Sequence, residues 1–309
     1  MLIDAHAHIF PKVNGRIGRG KTRSIGFGRM QVGDDHIAHV LPPVAIKTTY
    51  PPEVLIQYMN WAGVEKTVLL QGTFYGECNR YTAEAIRRWP DRLLGQAFLD
   101  PWESGARQMF DEAVGELGFR GIKLELSEAA GLSGLHPDLR LDGSNVDWLW
   151  KEMANRDLLL TLDLGAIGSR SYQTDAVRQI IEQHPDLRIV IAHLCQPNPV
   201  AEQDEALWAL WHEQVALACN PNVYMDTAAL PAYLQDEGYP FPSARRYIQN
   251  AVNVTGPDKI LWGTDIPGLL TVATYRQLVR AAYEHTDFLS TGDQAKVLGG
   301  NAMKIYGAS

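Results

Sequence analysis

A (β/α)8 barrel, the TIM-barrel form of the α/β class, is the fold this chain predicts, and three observations carry the prediction. Apolar runs bounded by turn residues recur eight times along the sequence, separated by amphipathic stretches of helical period. Most of these runs are continuously apolar rather than alternating, the pattern of parallel strands buried on both faces. The length of 309 residues suits eight βα units in one undivided domain spanning residues 1–309. A doubly wound open sheet is the competing arrangement, but no G-x-G-x-x-G or Walker sequence follows any strand.

The elements follow in order. The first strand, Leu2–Asp4, leads into Ala5-His6-Ala7-His8. Later strands begin at Lys66 (KTVLLQ), Leu93 (LLGQAFLD), Gly121 (GIKLEL), Leu158 (LLLTLDLG), Arg188 (RIVIAH), Asn222 (NVYMDT) and Lys259 (KILWGTD). Helical patterns lie between them at Glu53–Ala62, Thr82–Trp89, Arg107–Leu117, Val146–Ala154, Thr174–His184 and Ala201–Ala218. Ser144 and Thr174 stand where N-caps belong, and Pro185 stops the helix before it. Phe10 to Pro51 carries no helical pattern and is rich in glycine and proline. As a long loop after the first strand, it is expected to lie over the C-terminal face, where it could form a lid. Its basic residues Arg16, Arg19, Lys21, Arg23 and Arg29 read either as a solvated loop or as a contact for an anionic substrate. Ser127–Asp142 and Ala228–Pro242 are further irregular stretches.

Hydrophobic residues make up 46% of the chain, enough for a sizeable core, and the net charge of −8 argues against a nucleic-acid partner. Cys78, Cys195 and Cys219 are too few and too irregularly spaced for a disulfide framework or a cysteine-type zinc site, so a reducing, cytoplasmic setting is expected. No apolar run approaches the ~18 residues of a membrane span, and no basic and apolar leader opens the chain.

Polar residues at the C-terminal ends of barrel strands line the active site, so naming them predicts it. His6 and His8 come from the first strand, two residues apart and therefore on one face, as half of a transition-metal site. The second strand gives Gln71, with Tyr75 and Glu77 beyond it. Lys123 and Glu125 follow on the fourth, either as site residues or as an internal ion pair. Asp163, His193 and Asp265 end the fifth, sixth and eighth strands, and a carboxylate straight after an apolar strand requires a partner. Asp226 and Thr227, on the seventh, read as structural.

Taken together, Asp4-Ala-His6-Ala-His8, Gly118-Phe-Arg120-Gly-Ile-Lys123, Ala192-His193-Leu, Gly263-Thr-Asp265-Ile-Pro267 and Leu298-Gly-Gly-Asn301 resemble the amidohydrolase superfamily, in its amidohydrolase-related branch. The resemblance runs over nearly the whole chain. It implies a barrel, often oligomeric, with one divalent metal, most often zinc. It implies hydrolysis of a C–O or C–N bond in a lactone, ester or amide, or non-oxidative decarboxylation of an aromatic or unsaturated acid.

Carried over by position, His6 and His8 are metal ligands, Asp265 is a ligand and general base, and His193 polarises substrate or water. Lys123, Tyr75 and Gln71 are the expected substrate contacts. The fifth strand departs from the family pattern, with Asp163 where a ligating histidine commonly stands. Either the carboxylate replaces it, which raises the odds of manganese, or the site works without metal by acid–base chemistry. A non-catalytic barrel that only binds a small molecule is a third reading.

Overall fold

The structure, a computed structural model, describes residues 1–307. Its strands are β1 (Ile3–Ala7), β2 (Asn14–Ile17), β3 (Gly20–Gly26), β4 (Arg29–Val32), β5 (His36–His39), β6 (Lys66–Leu69), β7 (Leu93–Gly95), β8 (Ala97–Phe98), β9 (Gly121–Glu125), β10 (Leu159–Asp163), β11 (Arg188–Ile191), β12 (Val223–Asp226) and β13 (Ile260–Leu261). All eight expected barrel strands are present, the third divided at Gln96 into β7 and β8. They pair in parallel as β1-β6-β7 and as β8-β9-β10-β11-β12-β13. The last strand meets the first through Ala5 N–Trp262 O at 2.9 Å and a parallel bridge between Ala7 and Ile266. Helices wrap the outside, as the α/β barrel requires.

Residues 10–51 depart from the expected loop. Four of the strands, β2 to β5, form an antiparallel sheet in sequence order, with turns at Gly20, Gly28 and Gly33, all at positive φ. Val13, Ile17, Met30 and Val32 form its buried side. The sheet rests on the loop after β6, through Asn14 N–Tyr75 O and Arg16 N–Thr73 O. It supports the rim of the barrel and contributes nothing to the cavity lining, so it is not a lid over it. Arg16 pairs with Asp100 and Glu103, and Arg23 with Gln31, which leaves neither side chain aimed at that cavity.

Helix ends also differ from expectation. Val146 and Gln173, not Ser144 and Thr174, occupy the N-cap positions of Asp147–Asn155 and Thr174–Gln183. Side-chain caps occur at Asn198, Asp204, Ser290 and Thr274, the last in a capping box with Gln277. Among the described residues no helix is long and apolar enough to cross a membrane.

Candidate active site

Strict alternation along β1 would put Asp4 on the side of His6 and His8, but a register shift between Asp4 and Ala7 separates them. Asp4 instead accepts from Thr264 N (2.9 Å), Thr264 Oγ1 (2.6 Å) and Tyr275 Oη (2.9 Å), pinning β1 to the chain beyond β13. His6 and His8 face the barrel mouth. His6 Nδ1 lies 3.0 Å from Asp226 Oδ2, and His8 Nδ1 lies 2.7 Å from the Leu70 carbonyl oxygen. Both of those partners accept, so each Nδ1 carries the proton and each Nε2 presents a lone pair. Asp265, at φ 67°, is held by its own N–H on the His6 carbonyl and sets Oδ1 2.8 Å from His8 Nε2 and 3.9 Å from His6 Nε2.

The end of β11 is unusual. His193, Leu194, Cys195 and Gln196 all lie at positive φ (61°, 48°, 62° and 57°), a full left-handed turn of side-chain-bearing residues. Each such residue costs about 1–2 kcal/mol, so the surroundings must impose the turn. Asp226 Oδ1 accepts from His193 N, Trp211 Nε1 donates to Leu194 O, and Tyr172 Oη donates to Cys195 O. The turn brings His193 Nε2 to 3.0 Å from Asp163 Oδ2 and Gln196 Nε2 to 3.0 Å from Asp163 Oδ1. His193 Nδ1 meets the Ala228 carbonyl at 3.1 Å. Both ring nitrogens therefore face acceptors, and the imidazole must be doubly protonated to satisfy them. Burial opposes that charge, but Asp163 first, then Asp265 and Asp226, carry its pKa up to about 10.

Asp163 is thus committed to His193 and Gln196. The donor atoms of His6, His8 and Asp265 converge on one point, and Asp163 is not brought into that set, contrary to the expectation that it replaces a ligating histidine. Parallel pairing of β9 with β10 sets Asp163 beside Glu125, whose carboxyl burial and Asp163 push up to about 8. Lys123, buried on the same face, has Nζ 3.7 Å from Glu125 Oε2 and 3.5 Å from His6 Nε2.

His8, Lys123, Glu125, Asp163, His193 and Asp265 line a cavity of about 360 Å³ at the C-terminal ends of the strands, walled by Phe74, Tyr75, Tyr233 and Gln196. The ring of Tyr75 lies 4.8 Å from both His8 and Phe10. Gln71 does not reach the cavity: it is fully buried and bonded to Ile9 O and Thr82 Oγ1, because it sits on the outward side of its strand end. Gln196 had no signal in the sequence, since only the left-handed turn carries it to the site.

Desolvation would raise the Asp265 carboxyl, but the His8 contact and the neighbouring imidazoles outweigh it and hold the group at about 2. Burial lowers the pKa of His8 and takes His6 down to about 4, so both rings are neutral. With its proton on Nδ1 and Nε2 bare, His8 would set two acceptors 2.8 Å apart against the Asp265 carboxylate, so the contact needs a positive charge between them: either a proton, which is what lets the His8 contact lower the Asp265 carboxyl, or a metal ion in its place. Two imidazoles with their remote nitrogens anchored, one carboxylate and an open side are the donor set of a catalytic zinc site. The residues present therefore fit a divalent ion.

The sequence model of the amidohydrolase family matches residues 3–308. No curated protein sequence is significantly similar to this chain. Among solved structures, an amidohydrolase from Burkholderia multivorans superposes with a TM-score of 0.71 at 17% identity, over 99% of both chains. A second crystal form of it has zinc bound. A probable 2-pyrone-4,6-dicarboxylic acid hydrolase from Acinetobacter baumannii, with citric acid bound, gives 0.67 at 18% identity over 99% of both chains. 2,6-Dihydroxybenzoate decarboxylase from Rhizobium gives 0.59 at 17% identity, over 82% of this chain and 88% of its own.

Proposed function

Because this chain belongs to the amidohydrolase family, we propose that it is a hydrolase cleaving a C–O or C–N bond, in a lactone, ester or amide, of a small carboxylated molecule. The observation that supports this best is the opposition of an ionised Asp265 and a cationic His193 across one cavity. A base and a fixed positive charge facing a common space suit addition of water to a carbonyl.

His6, His8 and Asp265 are the residues that would hold a divalent ion, zinc by its donor preferences, and such an ion supplies Lewis acidity toward water and carbonyl oxygen. Asp265 takes the proton from the attacking water. His193, its two N–H groups already committed, stabilises the developing oxyanion by charge rather than by a new hydrogen bond. When the tetrahedral adduct collapses, the proton on Asp265 passes to the departing oxygen or nitrogen. Lys123, the one ammonium lining the cavity among the described residues, meets the substrate carboxylate, and Tyr75, Phe74 and Tyr233 give it apolar walls.

The test is a screen of carboxylated lactones, esters and amides in ¹⁸O-enriched water, with zinc or manganese supplied. Hydrolysis with ¹⁸O in the new carboxyl, lost in Asp265→Ala while the fold persists, supports the proposal. Release of CO₂ from aromatic or unsaturated acids without ¹⁸O incorporation replaces it with a decarboxylase, and unchanged turnover in Asp265→Ala removes the general base.

A further inference from the structure

At the opposite end of the barrel, where the strands begin, lies a second cavity of about 300 Å³. It opens between β7, β9 and β10 and the last helix, with walls that include Ile86, Leu94, Phe119 and Ile305. It shares no lining residue with the cavity around His193. Three arginines reach it. Arg188 is occupied, donating to Ile305 O and Asp157 O and pairing with the Asp157 carboxylate. Arg87 and Arg120 have no hydrogen-bonding or ionic side-chain partner among the described residues. The chain holds 36 acidic against 28 basic residues, so no shortage of carboxylates explains two unpaired guanidiniums in one concave place.

Gln96 is the second observation. It is 1% exposed at the break between β7 and β8 and lines the same cavity. Its Nε2 donates to Leu159 O at 3.3 Å, while its Oε1 has no partner among the described residues. Buried amide oxygens are nearly always satisfied, so an orphan at a cavity wall marks where a donor is missing. The floor beneath it is tight: a Cβ on Gly121 would lie 2.8 Å from Gln96 Nε2, which fixes the amide in place.

We propose that this cavity binds a small organic anion that also carries a hydroxyl group. Arg87 and Arg120 meet the anionic end, which suits carboxylate or phosphate because guanidinium presents paired donors to either. The hydroxyl donates to Gln96 Oε1. The volume lies at the lower end of ligand pockets, which sets the size of the guest.

Calorimetric titration with L-malate and succinate tests this, since the two dianions differ by one hydroxyl. Glycerol 3-phosphate is the phosphate-bearing probe. The titrations are run on wild type and on Lys123→Met, which removes the cation of the other cavity. One malate per chain should bind in both, about tenfold more tightly than succinate, the worth of one hydrogen bond to an unsatisfied acceptor. Gln96→Leu should erase the preference, and Arg120→Met should weaken malate about tenfold or more. Arg87→Met, on an exposed helix turn, gives the same reading should Arg120→Met unfold. Tighter binding of glycerol 3-phosphate assigns the anion as phosphate. No binding of any probe at millimolar concentration, loss of binding in Lys123→Met, or indifference to both arginine variants overturns the proposal.

Discussion

Replacing Asp163 with asparagine removes one negative charge 3.0 Å from His193 and leaves the shape of the site almost unchanged. In the native protein burial alone would take His193 below 6.5, and Asp163, Asp265 and Asp226 together carry it to about 10. At roughly 1.4 kcal/mol per pH unit, that rise corresponds to about 5 kcal/mol in favour of the imidazolium. Asp163 is the largest charge contribution, and an opposite charge at this distance is commonly worth about 1–3 pH units, so its loss should remove roughly 1.4–4 kcal/mol. His193 should then titrate roughly two pH units lower. A pKa raised on folding stabilises fully below the unfolded value of 6.5 and is lost as pH rises through about 10. The variant should therefore shed this stabilisation at lower pH than wild type. The imidazole resonance that disappears in His193→Gln identifies the signal to follow by NMR. A wild-type His193 titrating near 6.5, or one unmoved by Asp163→Asn, would refute the reasoning. Metal content of the same variant decides a second point: loading should persist, and its loss would make Asp163 a ligand.

Other perturbations give separate readings. Asp265→Asn should lower turnover about 10²–10⁴-fold, the usual contribution of a general base, in protein that circular dichroism shows to be folded. His8→Gln should abolish stoichiometric zinc or manganese in elemental analysis, because it removes one of three converging donors. Lys123→Met should raise KM for a carboxylated substrate about tenfold or more while kcat falls less. Gly263→Ala would place a Cβ 3.0 Å from His6 Cβ and 3.2 Å from Ala228 Cβ, so metal loading should weaken as His6 is displaced. Asp4, buried, has its carboxyl raised from 3.8 to about 7, so its ionisation opposes folding. Wild type should lose stability as pH climbs through that interval, and Asp4→Asn should flatten the loss in thermal midpoints taken from pH 4 to 8.

The barrel was legible because buried parallel strands must be written as apolar runs, and each such run from KTVLLQ to KILWGTD is a strand. The antiparallel sheet in residues 10–51 was not, for the opposite reason. Its strands are short and its outward positions polar, as in the exposed and half-buried run of β3, so alternation is masked by glycine turns. At the site, His6, His8, His193 and Asp265 could be named because a polar group straight after a buried strand needs a reason. Gln71 satisfied the same rule and yet faces away, since one residue of strand phase decides the side. Gln196 and the pairing of Asp163 with His193 depend on a left-handed turn that no local pattern announces.

That turn also shows why Asp226, which reads from sequence as structural, matters to the chemistry. One carboxylate serves two elements: Oδ2 accepts from His6 Nδ1, and Oδ1 accepts from His193 N and Ala228 N. The first contact frees the His6 Nε2 lone pair for the donor set it forms with His8 and Asp265. The second helps hold four left-handed residues against a cost of about 1–2 kcal/mol each, and so places the imidazolium. Hydrogen-bonded carboxylates that orient ligating and charged histidines need never touch substrate. A group of this kind fixes tautomer and backbone at once, which a single buried acid at the end of β12 can do only because β1 and β11 both converge on it.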